Sequence, residues 1–484
     1  MSVEVTNARM DADLFIGGRW VQGAAGMLDN VDPGTGRAVG RVSLASPDQV
    51  EDALRSAEAA FPAWGSTLPA VRGEILKRAS ALLVERTEEA VATILLETGK
   101  TEADARGEIG RAVETLRWNG EQAARIAGQT YPGVAAGSRR WSVPTPLGVV
   151  VAITAWNFPA VLGTRKLGAA LAAGCTVVFK ASEFAPATAR LLIELLHEAG
   201  LPPGVVNLVF GDPKAVVELL LSSPVVKALS FTGSTAVGKE LAAMAAPRLI
   251  RCVMELGGHA PVIVMDDADI ATVVTTTAPA KFGSAGQSCV APSRYLVHAS
   301  IYDAFVDALV ERAEGYTVGH GTEPGVTLGA VAHQGRVDAL LRLTRDAVDK
   351  GATLRTGGQR VARDGFYVEP TILADVPADA EILTEEPFGP IATISSFGDL
   401  DEAIDAANAS PYSFAAYLFT DSAKVRDQVT RRLSASNIGV NQLAPSLPDV
   451  PLGGIGNSGY GYEGGTEGIL SFCQLRLISE TPAP

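Results

Sequence analysis

Cysteine is scarce in this chain: there are four in 484 residues, at positions 175, 252, 289 and 473, with no CxxC pair and no short spacing. That pattern excludes a disulfide framework and a cysteine-based zinc site. Histidine is nearly as sparse. The five, at 197, 259, 298, 320 and 333, form no HExxH and no i, i+4 pair. No metal site is therefore expected, and a Ser-His-Asp or Cys-His mechanism would need a histidine placed by the fold with no local signature. There is no apolar run of about 18 residues, as a membrane-spanning helix would require, and no basic cluster with interleaved aromatics. Lys and Arg number 40 against 54 Asp and Glu, a formal charge of −14, which argues against nucleic acid or an anionic membrane as a partner. The start, MSVEVTNARMDADLF, lacks a basic segment followed by an apolar core. No signal peptide is expected, and the cytoplasm is the expected compartment.

What is present is an ordinary globular composition, 47% hydrophobic and 19% charged, in a chain long enough for two or more lobes. Residues 48 to 127 place apolar side chains near a 3.6 period and read as helices. From Gly148 the pattern becomes short β-branched runs (GVVVAI, TVVFK, VVNLVF, VVKALSF, LIRCVME) separated by helical stretches. This alternation predicts right-handed βαβ units and a mostly parallel sheet. It resumes after residues 255–290 with RYLVHAS, ATISSF, AAYLFT and NIGVNQ, read as a second α/β lobe. GQTYPGVAAGSRRWSVPTPLG reads as a projecting β-ribbon, with the C-terminal SFCQLRLIS as a candidate partner strand.

Two glycine motifs lose their force on inspection. GSTAVGKE, Gly233 to Glu240, fits the start of a P-loop, but Glu240 stands where Ser or Thr would hold magnesium. What remains is a strand turning into a helix, whose N-terminal amides suit a dinucleotide pyrophosphate. GIGNSG, Gly454 to Gly459, has too little chain after it for a βαβ unit and reads as a loop.

Five short stretches carry more chemistry. TAWNFP, Thr154 to Pro159, follows a strand and offers the Asn157 amide as an oxyanion donor, or as a turn residue before proline. FKASE puts Lys180 and Glu183 at the end of the next strand, to hold ribose hydroxyls or to form an exposed ion pair. MELGGH sets Glu255 between Met and Leu, where a carboxyl gains the raised pKa of a general base unless it faces solvent. EEPFGP, Glu385 to Pro390, supplies two acids and a phenylalanine. FGSAGQSCV leads through small residues to Cys289, a nucleophile or an inert buried thiol.

In this order, WNFP, the K-x-x-E after it, FTGSTAVG, ELGG, GQSC and E-x-FGP, with LETGK at Leu96 to Lys100, closely resemble the NAD(P)-dependent aldehyde dehydrogenase superfamily, semialdehyde-oxidising branch, from about Phe15 to Ile478. The resemblance implies an α/β fold with a Rossmann-like NAD-binding domain (1–127 and 147–257), a second α/β catalytic domain (258–455) and an oligomerisation ribbon (128–146 and 470–484). It implies Cys289 as the nucleophile, Asn157 and the Cys289 amide as the oxyanion site, Glu255 as the base for thioester hydrolysis, and Lys180 among the catalytic set. Cofactor contacts would come from Thr154, Ala155, Trp156, Asn157, Lys180, Ser182, Glu183, Gly211, Phe231, Thr232, Gly233, Ser234, Val237, Glu255, Leu256, Gly257, Glu386 and Phe388. Glu183 beside the adenosine ribose favours NAD over NADP, because a carboxylate repels a 2′-phosphate.

Substrate contacts implied are Phe158, Leu162, Arg165, Gly283, Ser288 and Val290. Arg165 matches the arginine with which semialdehyde-oxidising relatives bind a distal carboxylate, or it lies on a helix surface. Those relatives often carry a second arginine where Gly283 stands, so an acidic or polar aldehyde other than succinate semialdehyde, aromatic ones included, is expected. Many members also carry an arginine where Tyr462 stands. The small-molecule aldehyde is the expected partner, together with further copies of the chain in a dimer or tetramer. Two competing functions are a CoA-acylating dehydrogenase, against which Glu255 argues, and a non-catalytic NAD-binding structural protein, against which Cys289 and Asn157 argue.

Overall fold

The computed structural model describes residues 8–443 and 446–481. Residues 1–7 of the first expected segment and 482–484 of the last lie outside the described residues. The five β-branched runs form a parallel array, in spatial order Val206–Val209, Thr176–Lys180, Val149–Ile153, Val226–Thr232, Arg251–Glu255. Helices Pro159–Ala173, Pro186–Glu198, Pro213–Ser222 and Thr235–Ala245 make the crossovers. Val149–Ile153 and Thr176–Lys180 are buried at every residue, as a parallel sheet covered on both faces requires. The chain winds outward in both directions from Val149–Ile153, so a crevice opens at the carboxyl ends of the central strands, where open α/β sheets bind ligands.

This sheet has eight strands rather than five. Leu14–Ile16 and Arg19–Val21 extend one edge antiparallel, and Gly459–Tyr460 closes the other against Met254 and Glu255. The GIGNSG loop is thus a tight turn whose ends pair with Tyr412–Ser413 on one side and with Met254 and Glu255 on the other.

A second sheet of seven strands runs in the order Thr353–Thr356, Thr371–Ala374, Ile391–Phe397, Pro292–His298, Ala260–Val264, Ala415–Phe419, Asn437–Val440, parallel except for the first. Ala260–Val264 corrects the reading of 255–290 as a break in the alternation: it is a fully buried strand near the middle of this sheet. Each sheet has its own core, with Phe179 and Trp64 in the first and Phe282, Tyr295, Phe305 and Tyr417 in the second.

Thr130–Tyr131, Arg139–Pro146 and Cys473–Glu480 make a separate three-stranded ribbon. The C-terminal strand pairs with Arg139–Pro146 over eight residues, from Cys473 opposite Pro146 to Glu480 opposite Arg139. Among the described residues no helix is long and apolar enough to cross a membrane.

Candidate active site

The loop before Cys289 is held in an unusual backbone shape. Helix Ile270–Phe282 ends at Gly283, and then Ser284, Ala285 and Gly286 all adopt left-handed φ values of 50°, 52° and 72°. Such a conformation costs a non-glycine residue about 1–3 kcal/mol, so its neighbours must hold it. They do. The Ser284 amide donates to Asp104 Oδ2 at 3.0 Å, Gln287 Nε2 donates to the Ser284 carbonyl at 3.1 Å, and Ala332 N donates to Gln287 Oε1 at 2.9 Å. A Cβ on Gly286 would stand 2.2 Å from the Gly389 carbonyl, so glycine is required there on two counts. Burial pushes the half-buried Cys289 thiol up, and the carboxyls of Glu386 and Glu255 add to this while Arg165 opposes it.

Glu255 ends its strand 4% exposed, and neither carboxyl oxygen has a hydrogen-bond partner among the described residues. It does not face solvent. Burial raises its pKa well above the usual range and Glu463 raises it further, while Lys166 and Arg165 pull it down. Lys166 and Glu463 form a buried ion pair joined by Ser230. The two glycines after Glu255 bring three motifs together. A Cβ on Gly258 would lie 2.0 Å from the Cys289 carbonyl, and one on Gly257 would lie 2.9 Å from Glu386 Oε2. The Gly258 amide donates to Glu386 Oε1 at 3.1 Å. Burial pushes Glu386 up to about 8.

Asn157 lies beside the same loop, its Nδ2 donating to the Gln287 carbonyl at 3.0 Å. One amide hydrogen is so engaged, and the second has no acceptor among the described residues. The Asn157 carbonyl accepts from Lys100 Nζ at 2.6 Å, and Lys100 is ion-paired with the fully buried Glu108. Glu108 Oε1 in turn accepts the Ala160 and Val161 amides at 2.8 and 3.4 Å. A carboxylate thus caps the helix that follows WNFP, where the helix dipole favours it. LETGK contributes Lys100, which ties the Asn157 carbonyl to this carboxylate.

On the other side of the crevice, Lys180 is 4% exposed and bonds Glu183 at 2.7 Å, so the pair is not the exposed one weighed from sequence. Glu183 also accepts the Gly211 amide at 3.0 Å. Ser182 Oγ accepts the Phe184 amide, and Leu256 N donates to Ser458 O. Phe231 packs under Gly233, where a Cβ would be 2.4 Å from the ring. Thr232 Oγ1 is buried without a partner among the described residues, Ser234 caps helix Thr235–Ala245, and Val237 in its first turn is exposed. Trp156 meets Phe388 edge-on at 5.5 Å, and Phe388 has a left-handed φ of 43°. Thr154 and Ala155 complete the edge after Val149–Ile153. These features fit a dinucleotide: a helix N-terminus for pyrophosphate, an orphaned hydroxyl, and carboxyls placed for ribose.

Arg165, expected to contact substrate, is 5% exposed, which removes the helix-surface alternative. Its Nη2 donates to the Ser446 carbonyl at 2.8 Å and to Ser446 Oγ at 2.9 Å, while Nε has no partner among the described residues. Phe158 and Leu162 are half-buried, Ser288 N donates to Gly286 O, and Tyr417 OH donates to the Val290 carbonyl at 2.7 Å. A Cβ on Gly283 would meet only Asp104 Oδ1, at 3.2 Å. Contributors that escaped the sequence reading include Asp104, Glu108, Lys166, Glu463, Ser446 and His333, whose ring lies 5.9 Å from Trp156 and stacks on Phe184 at 5.2 Å. Tyr462 drew attention in GYGYEGG, yet it is exposed and its neighbour Glu463 is the buried member.

Residues 20–478 match the model of the aldehyde dehydrogenase family. The chain is 43% identical over 467 residues to a 4-(hydroxymethyl)benzenesulfonate dehydrogenase of Comamonas testosteroni, covering 96% of this chain and 97% of that protein. It is 38% identical over 474 residues to a succinate-semialdehyde dehydrogenase [NADP(+)] of Escherichia coli, covering 97% and 98%. The crystal structure of succinate-semialdehyde dehydrogenase from Burkholderia pseudomallei superposes with a TM-score of 0.95 at 37% identity, over 97% of this chain and 98% of that one. With motifs, sheets and crevice in agreement, the chain belongs to the aldehyde dehydrogenase family and is an NAD(P)-dependent, aldehyde-oxidising enzyme.

Proposed function

We propose that this enzyme oxidises an aldehyde carrying a distal carboxylate or sulfonate, aromatic ones included, to the carboxylic acid, with NAD preferred to NADP. The observation that carries the reading is the convergence of Cys289, Glu255 and Asn157 at the sheet crevice, with buried Arg165 on the same side. The relatives named above act on sulfonate- or carboxylate-bearing compounds by their names, which supports an anionic substrate.

Cys289 Sγ bonds to the carbonyl carbon and gives up its proton to ionised Glu255. The carbonyl electron pair moves to oxygen, where the second Asn157 N–H and the Cys289 amide receive it. A nicotinamide bound in the crevice would supply the hydride acceptor; as hydride leaves the carbon, the oxyanion electron pair re-forms the C=O bond and a thioester to Cys289 remains. Glu255 releases the thiol proton to solvent and, ionised again, takes a proton from water as the water oxygen bonds to that carbon; the C–S bond breaks, and the acid and the Cys289 thiolate separate. Lys180, Glu183 and Glu386 would hold ribose hydroxyls, and the first-turn amides after Ser234 would hold the pyrophosphate. The first sheet forms the cofactor domain and the second the catalytic domain. Leu475 and Leu477, exposed on the outer ribbon strand, support assembly into a dimer or tetramer. The described cysteines stand free, in keeping with a reducing compartment, and we assign the cytoplasm.

The test is NADH formation on a panel of neutral and anionic aldehydes, with and without CoA, for wild type, Cys289→Ala and Arg165→Ala. Turnover without CoA, lost in Cys289→Ala, is expected. Arg165→Ala should cost anionic aldehydes more than neutral ones; equal losses would remove the anionic assignment, and turnover only with CoA would remove hydrolysis.

A further inference from the structure

We propose that Arg111 is a second specificity-determining residue of the substrate pocket, which together with Arg165 holds the distal anionic group of the aldehyde. This rests on the aldehyde-oxidising reading above and adds a residue that no motif singles out.

Helix Glu102–Gln122 carries Asp104, Glu108 and Arg111 at i, i+4 and i+7, one face of the helix. The first two show where that face points. Asp104 accepts the Ser284 amide of the Cys289 loop, and Glu108 accepts the amides at the start of helix Pro159–Ala173. Arg111 is the next residue along.

Two fixed points set the register of the two helices. Glu108 meets Ala160, and Asn119 lies beside Gly168, where a Cβ would be 2.9 Å from its Nδ2. The helices therefore run side by side in the same direction. Arg111 falls level with Leu162, about one helical turn from Arg165. Its guanidinium carbon sits 5.6 Å from the Phe158 ring centroid, beside the residue that supplies the oxyanion donor.

The other arginines of this helix are paired on the surface: Arg106 with Glu88 and Glu102, and Arg117 with Glu114. Arg111 is exposed and forms no salt bridge among the described residues. Among the described residues, Arg165 likewise has only neutral Ser446 oxygens as hydrogen-bond partners. Burial is the main force lowering Arg165, and the Arg111 charge adds to it. An anion between the two guanidiniums relieves that repulsion and gains charge-assisted hydrogen bonds from both. Gly283, open on all sides but that of Asp104, leaves room for the body of the substrate.

The experiment compares wild type, Arg111→Met and Arg111→Lys on benzaldehyde, 4-carboxybenzaldehyde, 4-sulfobenzaldehyde and succinate semialdehyde. Arg111→Met should lower the ratio of anionic to neutral kcat/KM roughly ten- to hundredfold, the range of one lost hydrogen bond to a charged group. The loss should fall mainly on KM, and Arg111→Lys should restore part of it. Thermal-shift titration with 4-sulfobenzoate, which needs no turnover, should give weaker stabilisation of Arg111→Met than of wild type. An unchanged ratio, with equal stabilisation of both proteins, overturns the role of Arg111 and leaves aldehyde oxidation standing. A wild type that turns over no aldehyde overturns the underlying reading instead. The carboxylate and sulfonate arms decide which oxyanion the pair prefers.

Discussion

Gly258 touches the Cys289 carbonyl so closely that a Cβ would stand 2.0 Å from the oxygen. The same residue donates its amide to Glu386 at 3.1 Å. One backbone unit therefore sets the thiol loop against both the Glu255 strand and the Glu386 loop. Gly258→Ala must displace the Cys289 loop, whose left-handed run at Ser284 and Ala285 has little freedom to follow. We expect kcat to fall roughly a hundredfold, the scale of an ångström-sized misplacement of reacting groups. The melting temperature should fall with the clash while far-ultraviolet circular dichroism at room temperature stays close to wild type, and a wild-type kcat would show that the contact does not position the thiol.

Glu255 gives a pH dependence whose sign is fixed. Burial and Glu463 raise its pKa, and Lys166 and Arg165 lower it. A base must be ionised, so kcat should decline as pH falls through the raised pKa. Lys166→Met removes a lowering charge and should move this acid limb to higher pH; Glu463→Gln should move it to lower pH. Stability runs the other way. The native state holds the Glu255 proton more tightly than the unfolded chain, so its contribution is complete below the unfolded pKa of about 4.3 and is lost as pH rises through the native pKa. Glu255→Gln should therefore melt above wild type at neutral and alkaline pH. Opposite limb shifts for the two neighbours are required; a common shift would refute the charge argument.

The sequence made much of this legible because local patterns govern it. Five β-branched runs separated by helical periods specify the cofactor-side sheet, and Cys289, Glu255 and Asn157 each sit in a short motif at the end of an element. Ala260–Val264 was hidden because five apolar residues close behind a glycine pair carry no period of their own. The Leu14–Ile16 edge strand is only three residues long. Lys166 and Glu463 lie 297 residues apart, so no window contains their ion pair. Arg165 could be read from sequence as buried or as solvated, and only packing decided between them. Asp104, Glu108 and Arg111 were within reach, since their spacing marks one helical face, but what that face meets depends on the tertiary fold.

The NAD preference proposed above is expected to rest on Glu183. It is fixed by Lys180 at 2.7 Å and by the Gly211 amide at 3.0 Å, so it cannot swing away at no cost. A 2′-phosphate there meets a like charge, and Glu183→Gln should remove the repulsion while keeping a hydrogen-bonding side chain. The ratio of kcat/KM with NADP to that with NAD should rise at least about tenfold, given that juxtaposed like charges cost several kcal/mol. Steady-state kinetics with both cofactors measures it. A ratio unmoved by the substitution would place the adenosine ribose elsewhere.

Leu475 and Leu477 are 69% and 61% exposed on Cys473–Glu480, a strand with a partner along only one edge among the described residues. Residues two apart share a face of a strand, so both leucines present one apolar surface beside a free row of backbone donors and acceptors. An exposed apolar edge of this kind invites pairing with a second copy of the ribbon. Leu475→Asp combined with Leu477→Asp puts two like charges on that face and should shift the assembly to a smaller species in sedimentation velocity. The core of each sheet is remote from these positions, so far-ultraviolet circular dichroism should be unchanged. If the sedimentation coefficient of the double variant equals that of wild type, the ribbon is not the assembly surface.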